Sequence, residues 1–350
     1  MASKSTQSTE KPVGIIRSAE SYEGCIASSD QSSLIGTIVR FPDGTKWMLT
    51  EALSNVKLQQ TDPPFEATQV FVCVRLGDAA NPCKDVQEAV VKVKYQIIGL
   101  RESLAEIEAM VEDREKTLNE NPDSEEAIEC AEWAQEQLYS ATNPVQQANE
   151  QTINEVGALL QFRQKHSRHT PKLLNFVTDV VPSNVNGVVM VGGYIVFILM
   201  TKVPGKQISH NEFHNELTVL ERNEIRQAFK KALIDVWTLG ILPCDQALRN
   251  IVWDEKEKKC YVVDFENIDV GTFKDPTAIF DNDYWHFWGL CDASTGCRYH
   301  SYAEAEEFPC EIPTCETFTY KMVACVLFTC VMFSWGLFAW VMMSSRSTPE

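Results

Sequence analysis

The chain has 350 residues, of which 44% are hydrophobic and 23% charged, enough to bury a sizeable core and far from the composition of a disordered polymer. A net charge of -18 excludes the electrostatic footprint of a nucleic-acid-binding protein. Its 12 cysteines are scattered singly behind a start with no apolar leader, which predicts a reducing compartment rather than a disulfide framework. Cys291, Cys297, His300, Cys310 and Cys315 follow none of the spacings of a zinc site.

Residues 1–12 are rich in Ser, Thr, Lys and Glu without an apolar period and read as a disordered tail. Short apolar runs over 34–41, 46–50 and 70–76 predict strands, the first two joined by a Pro42-Asp43-Gly44 hairpin turn. A further strand covers 90–95, Val-Val-Lys-Val-Lys-Tyr, where Lys92 and Lys94 fall on one face. Two lysines so placed also suit an edge strand that they protect from pairing.

From about 97 to 148 the pattern turns helical. Leu100, Leu104, Ile107, Val111 and Leu118 recur at helical steps, and Asp123 is expected to cap a second helix with Glu126 reaching back and Ile128, Ala131 and Leu138 along it. The result is an acidic helical hairpin, either a solvated pair of helices or a surface for a protein partner of opposite charge. A third helix begins near Asn149 and carries Ile153, Val156, Leu159, Leu160 and Phe162. Residues 188–191 and 194–200 predict a hairpin across Gly192-Gly193, followed by an extended breaker, Thr201-Lys202-Val203-Pro204-Gly205. Residues 212–239 form an amphipathic helix through Leu217, Leu220, Ile225, Phe229, Leu233 and Val236.

That helix delivers the chain to a loop carrying Asp245 and Asn250. A strand over 250–253, a charged turn over 254–259 and a second strand over 260–265 follow, the last ending in Asp264-Phe265-Glu266. Two carboxylates and an amide thus gather at the open end of one hairpin. The wording Pro243-Cys244-Asp245-Gln246-Ala247-Leu248-Arg249-Asn250 and Asp264-Phe265-Glu266 resembles the catalytic and metal loops of protein-kinase-like phosphotransferases. It is closer to a fungal kinase-like family related to aminoglycoside and small-molecule kinases than to conventional protein kinases. The order along the chain, with strands, lysine, helix, breaker, helix and the two loops, agrees with that resemblance.

The resemblance implies an α+β, bilobal protein-kinase-like fold. A β-rich amino-terminal lobe would span 13–205 with the helical insertion inside it, and an abbreviated, mainly helical carboxy-terminal lobe would span 206–318. ATP and Mg²⁺ are the implied cofactors, with Asp245 as catalytic base beside Asn250, and with Asn250 and Asp264 as the metal ligands. Lys92 is the implied phosphate-binding lysine, with Lys94 as the alternative, and Glu155 is its ion-pair partner, with Glu150 as competitor. Met200 and Val203 bound the implied hinge for the adenine. Two features depart from the family pattern: no glycine-rich loop precedes Lys92, and Pro243 and Cys244 replace the histidine and arginine that brace the catalytic loop. Three classes of function therefore stay open: a phosphotransferase of unknown acceptor, a pseudokinase scaffold that recruits partners, and a membrane adaptor unrelated to kinases.

Residues 322–343 contain no charge and are rich in Val, Leu, Phe, Cys, Trp and Met, between Lys321 and Arg346. About 20 such residues span the hydrocarbon of a bilayer, so 321–343 predicts a single transmembrane helix with a short tail over 344–350. The expected arrangement is a carboxy-terminal anchor with the kinase-like part in the cytosol.

Overall fold

The computed structural model describes residues 22–23, 34–77, 86–182, 189–271, 275–281 and 283–291. The expected tail over 1–12 and the expected transmembrane segment over 321–343 lie outside the described residues, and among the described residues no helix is long and apolar enough to cross a membrane. The chain divides into two compact units. The first holds 1–156 and 171–203, the second 157–170 and 204–350.

In chain order the first unit contains β1 (Tyr22–Glu23), β2 (Ile38–Arg40), β3 (Lys46–Ala52), β4 (Lys57–Gln59), β5 (Glu66–Leu76) and β6 (Glu88–Gln96). Then come α1 (Arg101–Glu120), α2 (Glu125–Thr142), the start of α3 (Glu150–Gln164), β7 (Leu173–Val180) and β8 (Tyr194–Thr201). The strands form one antiparallel sheet ordered β1-β2-β3-β5-β6-β8-β7, with β4 added beside β5. Its apolar side is a single core that includes Trp47, Leu49, Phe65, Phe71, Val91, Val93 and Phe197. The Pro42-Asp43-Gly44 turn is present, with Gly44 at φ +83° and the Asp43 carboxylate accepting from the Thr45 N–H and hydroxyl.

Several expectations need correction here. β6 is not an edge strand, because β5 and β8 flank it on both sides. Of the expected 188–191 strand, the described residues 189–191 do not pair with β8; its neighbours are β6 and β7, and Val189 makes an isolated bridge to Ile97. The cap of α2 is Ser124, whose hydroxyl accepts from the Ala127 N–H, one residue after Asp123. Ala127, Ala131, Ala134 and Ala141 make the buried seam of α2, while Ile128 faces solvent. Small side chains at that seam let α1 and α2 approach closely, which a count of large apolar residues does not register. The hairpin is fastened to the sheet by Gln96, fully buried, whose Nε2 donates to the carbonyls of Ser140 and Asn143 and whose Oε1 accepts from the Val145 N–H.

The second unit holds the end of α3, β9 (Lys206–Gln207), a single π turn at Glu212–Glu216, α4 (Val219–Thr238), β10 (Ile241–Pro243), a 3₁₀ turn at Leu248–Asn250, β11 (Ile251–Asp254), β12 (Lys259–Val262), β13 (Ile268–Val270), α5 (Pro276–Ile279) and α6 (Asp283–Phe287). Among the described residues only α4 is a long helix within this unit, so where a mainly helical lobe was expected the described part shows one long helix, short turns and two small sheets. α4 starts at 219 rather than 212. The break falls where Thr218 and Glu221 close a capping box, and Leu220, expected in the core, is 71% exposed. Its buried face runs through Ile225, Phe229, Leu233, Val236 and Trp237; Trp285 and Trp288 lie against Phe229, and Phe280 and Tyr284 against Trp237, in an aromatic cluster.

Gly205 is required. Its φ is +102°, and a Cβ there would run into the carbonyl of Trp253, because β9 lies directly along β11. Gly205→Ala is expected to cost roughly 2 kcal/mol or more from left-handed strain and overlap together, read as a lower urea midpoint at unchanged slope.

Candidate active site

The second unit builds its site from two short sheets. β10 pairs antiparallel with β13, and the Cys244 N–H continues that contact by donating to the Asn267 carbonyl at 2.9 Å. β11 pairs with β12 on one side and β9 on the other. Asp245 therefore leaves one sheet and Asn250 leads into the next, with the four residues 246–249 between them to turn the chain. The 3₁₀ turn ending at Asn250 closes that gap, and Gln207 braces it by donating to the Arg249 carbonyl at 2.8 Å.

Asn250, only 3% exposed, clamps the loop from inside: Nδ2 donates to the Asp245 carbonyl and to its Oδ2, both at 2.9 Å. Spending the amide NH₂ on Asp245 leaves the amide oxygen as the acceptor end of the side chain. Arg249 Nη2 holds both oxygens of the same carboxylate, at 2.6 and 2.8 Å. Arg249, four residues after Asp245, thus braces that carboxylate, a contact that sequence reading missed. The side chains of that pair are 59% and 39% exposed, so it orients more than it stabilises.

Asp264 reaches the same end of the hairpin. The Val263 N–H donates to the Asn250 carbonyl at 3.0 Å, one step beyond the Ile251–Val262 register pair, so Asp264 is the next residue along. Its φ is +70°, a conformation uncommon for a residue with a side chain. Phe265 helps to fix it: buried to 1% exposure, it meets Phe162 edge to face at 4.7 Å. Carboxylate oxygens of Asp264 and Glu266 lie within 4.8 Å of each other. Carboxylates this close are hard oxygen donors of the kind that suits Mg²⁺, so Asp264 and Glu266 fit that ion. Glu266 was not singled out as a ligand, although its place two residues after Asp264 is visible in the sequence. Cys244 offers no nucleophile: burial, then the nearby Asp269 carboxylate, push its thiol up to about 12.

The first unit holds the lysines. Both are buried, Lys92 at 6% and Lys94 at 0% exposure. Lys92 Nζ meets Glu155 Oε1 of α3 at 2.7 Å. Lys94 Nζ meets Glu66 Oε1 of β5 at 3.0 Å and lies 3.7 Å from Glu155 Oε2. Thr152 of α3 and Tyr194 of β8 donate to Glu66 Oε2, the latter at 2.9 Å. Burial, then the Glu66 charge, raise the Tyr194 hydroxyl well above its ordinary value, so it stays a donor. The buried face of α3 accordingly runs Thr152, Glu155, Ala158, Leu159 and Phe162, and Ile153, Val156 and Leu160 are turned partly outward. Glu150 is exposed in the first turn of the helix.

Met200 stands inside β8, in register with Val90 on β6 and Leu173 on β7. The Thr201 N–H donates to the Lys172 carbonyl. Of the two expected hinge residues only Val203 lies past these ladders.

No protein-family model matches the chain, and no curated protein matches it. Among solved structures, a match is the kinase PK-1 of Cydia pomonella Granulovirus, with 14% sequence identity and a TM-score of 0.33. The alignment covers 64% of this chain and 55% of that one, about half of its length.

Proposed function

We propose that the chain is a kinase-like phosphotransferase using ATP and Mg²⁺, with Asp245 as the base, Asn250 and Asp264 as metal ligands, and Lys92, set by Glu155, as the phosphate-binding lysine. The observation that carries this reading is the clamp of Asn250 on Asp245 with Asp264 one residue past the same backbone bond. Phosphoryl transfer asks little covalent work of a protein and much positioning, and these residue types at one hairpin end meet that demand. When bound, Mg²⁺ supplies positive charge against the phosphate oxygens. Asp245 orients an acceptor hydroxyl and takes its proton, held in a single orientation by Arg249 and Asn250. The buried Lys92 ammonium offers a fixed cation to an anionic ligand, and Val203 offers backbone groups to a base.

Titration with a fluorescent ATP analogue tests this. Binding is expected to require Mg²⁺ and to be lost in Asp264→Ala; binding that ignores both would sink the reading. A second reading, an inactive scaffold, is favoured by the grip of Arg249 on both oxygens of Asp245, and it predicts no Mg²⁺-dependent binding at all.

We also propose that residues 321–343 tether this domain to a membrane, supported by the uncharged run 322–343. Full-length chain is expected to float with liposomes in a density gradient, and a chain ending at 320 to stay at the bottom; equal behaviour of the two would refute the tether.

A further inference from the structure

The turn that follows α6 lies against the loop that carries Asp245 and Asn250. A Cβ built on Gly289 would lie 3.5 Å from Leu248 Cβ and 4.0 Å from its backbone nitrogen, so the Gly289 backbone rests on the first residue of the 3₁₀ turn. Leu248 is buried there, as are Trp288 and Leu290 on either side of Gly289. Two side chains hold this turn by its carbonyls. His214 Nε2 lies 3.1 Å from the Gly289 oxygen, and Arg226 Nε of α4 donates to the Leu290 oxygen at 2.6 Å. A carbonyl only accepts, so Nε2 of His214 carries the proton. His214 belongs to the π turn at Glu212–Glu216, closed by the Leu217 N–H donating to the Glu212 carbonyl at 3.0 Å. Isolated π turns are rare and gather at functional sites. This one buries Phe213 completely and leaves His214 half-buried beside Gly289. Arg222 of α4 fixes its backbone by donating to the Leu217 carbonyl at 2.8 Å, and Arg226 lies over the Phe213 ring, so the imidazole reaches out from a braced segment.

We infer that His214 is a positioning residue of the Asp245–Asn250 loop: by holding the Gly289 carbonyl it keeps the 288–290 turn pressed on Leu248 and so fixes the span between base and amide. The Asn250 end of that span has an anchor of its own, the Val263 N–H donating to the Asn250 carbonyl at 3.0 Å. Asp245 depends on the loop being closed, since Asn250 reaches its carbonyl and its carboxylate across the turn. Loss of the prop is accordingly felt at the base more than at the amide. The catalytic half of this inference rests on the phosphotransferase reading, while the mechanical half does not.

Three full-length chains test it: the parent, His214→Leu, which fills the space without a donor, and His214→Gln, whose amide N–H reaches a similar distance. Hydrogen exchange over 244–250, followed by mass spectrometry, is expected to be about tenfold faster or more in His214→Leu, with β11 and β12 unchanged, and to return to within about threefold of the parent in His214→Gln. Equal exchange in the parent and His214→Leu overturns the inference. So does an equal rise across β11 and β12, which is general loosening. Single-turnover ADP formation with water as acceptor is expected to fall about tenfold or more in His214→Leu, while affinity for a fluorescent ATP analogue stays within about threefold. His214→Gln should recover that rate; an unchanged rate in His214→Leu, or a loss that His214→Gln does not recover, overturns the assignment. Should His214→Leu fail to fold, His214→Gln decides: parent-like exchange and rate support the donor role, and a change of about tenfold in either refutes it. If the parent forms no ADP, the phosphotransferase reading falls, and the exchange comparison still decides the role of His214.

Discussion

Glu66→Leu is expected to bring the protein close to unfolding at room temperature. The carboxylate is 2% exposed and accepts from three buried donors: the Lys94 ammonium, the Thr152 hydroxyl and the Tyr194 hydroxyl. Removing one partner of a buried ion pair costs roughly 3–5 kcal/mol, and each hydroxyl donor left without its acceptor adds about 1–3 kcal/mol. Against a total stability of about 5–15 kcal/mol this is a large share. The Coulomb attraction is not the source of that cost, since a well-packed apolar replacement of a whole pair is often neutral. The damage comes from stranding what remains. Lys94→Met/Glu66→Leu should therefore recover much of the loss, and Glu66→Gln, which still offers an oxygen to the hydroxyls, should lose less. Urea unfolding of the three variants checks the order; a Glu66→Leu midpoint equal to the parent would show that the network contributes nothing.

Why this network escaped sequence reading is instructive. Local features were legible: the Asp43-Gly44 turn, the 251–262 hairpin and the closeness of Asp245 to Asn250 all follow from residues near each other in the chain. Glu66 sits 28 positions before Lys94 and becomes its neighbour only through the β5–β6 ladder, in which Thr68 faces Lys94 and Glu66 is the next residue on that face. A strand taken to start at 70 never includes it. The Lys92–Glu155 pair was expected from the resemblance, but from their own strand Lys92 and Lys94 also suited an edge, because burial of charge depends on partners from other elements, one on β5 and one on α3. The same holds for α3, whose inward face is set by Thr152 and Glu155; its large apolar residues pointed to a face rotated partly away from the real one. β10 falls in what was read as the loop after the helix, because three residues carry no period, and only its partner β13 makes it a strand. In each case the missing information was a long-range pairing, and pairings are what a local pattern does not contain.

Asp245→Asn is expected to reduce phosphoryl transfer by about 10²–10⁴-fold while leaving Mg²⁺-dependent binding of the ATP analogue within about threefold of the parent, the span attributed to loss of a positioned base. The amide keeps the shape of the carboxylate and one acceptor oxygen for Asn250 Nδ2, so the loop turn between β10 and β11 should survive. What it loses is the proton acceptor and the charge that Arg249 grips at 2.6 and 2.8 Å. Asp264→Ala should behave in the opposite way, losing binding and rate together, if that carboxylate is the metal ligand proposed for it. The two variants thus separate base from ligand within one hairpin end. Arg249→Ala sharpens the distinction further. The exposed pair contributes at most about 1 kcal/mol to stability, so a rate that rises on its removal would mean that the arginine restrains the base, and a rate that falls would mean that it aims it. Single-turnover transfer to water as the acceptor, measured as ADP formed per chain, reads all three variants without knowledge of the natural acceptor. Equal rates for the parent and Asp245→Asn would remove Asp245 from the chemistry and leave the hairpin end as a binding site alone.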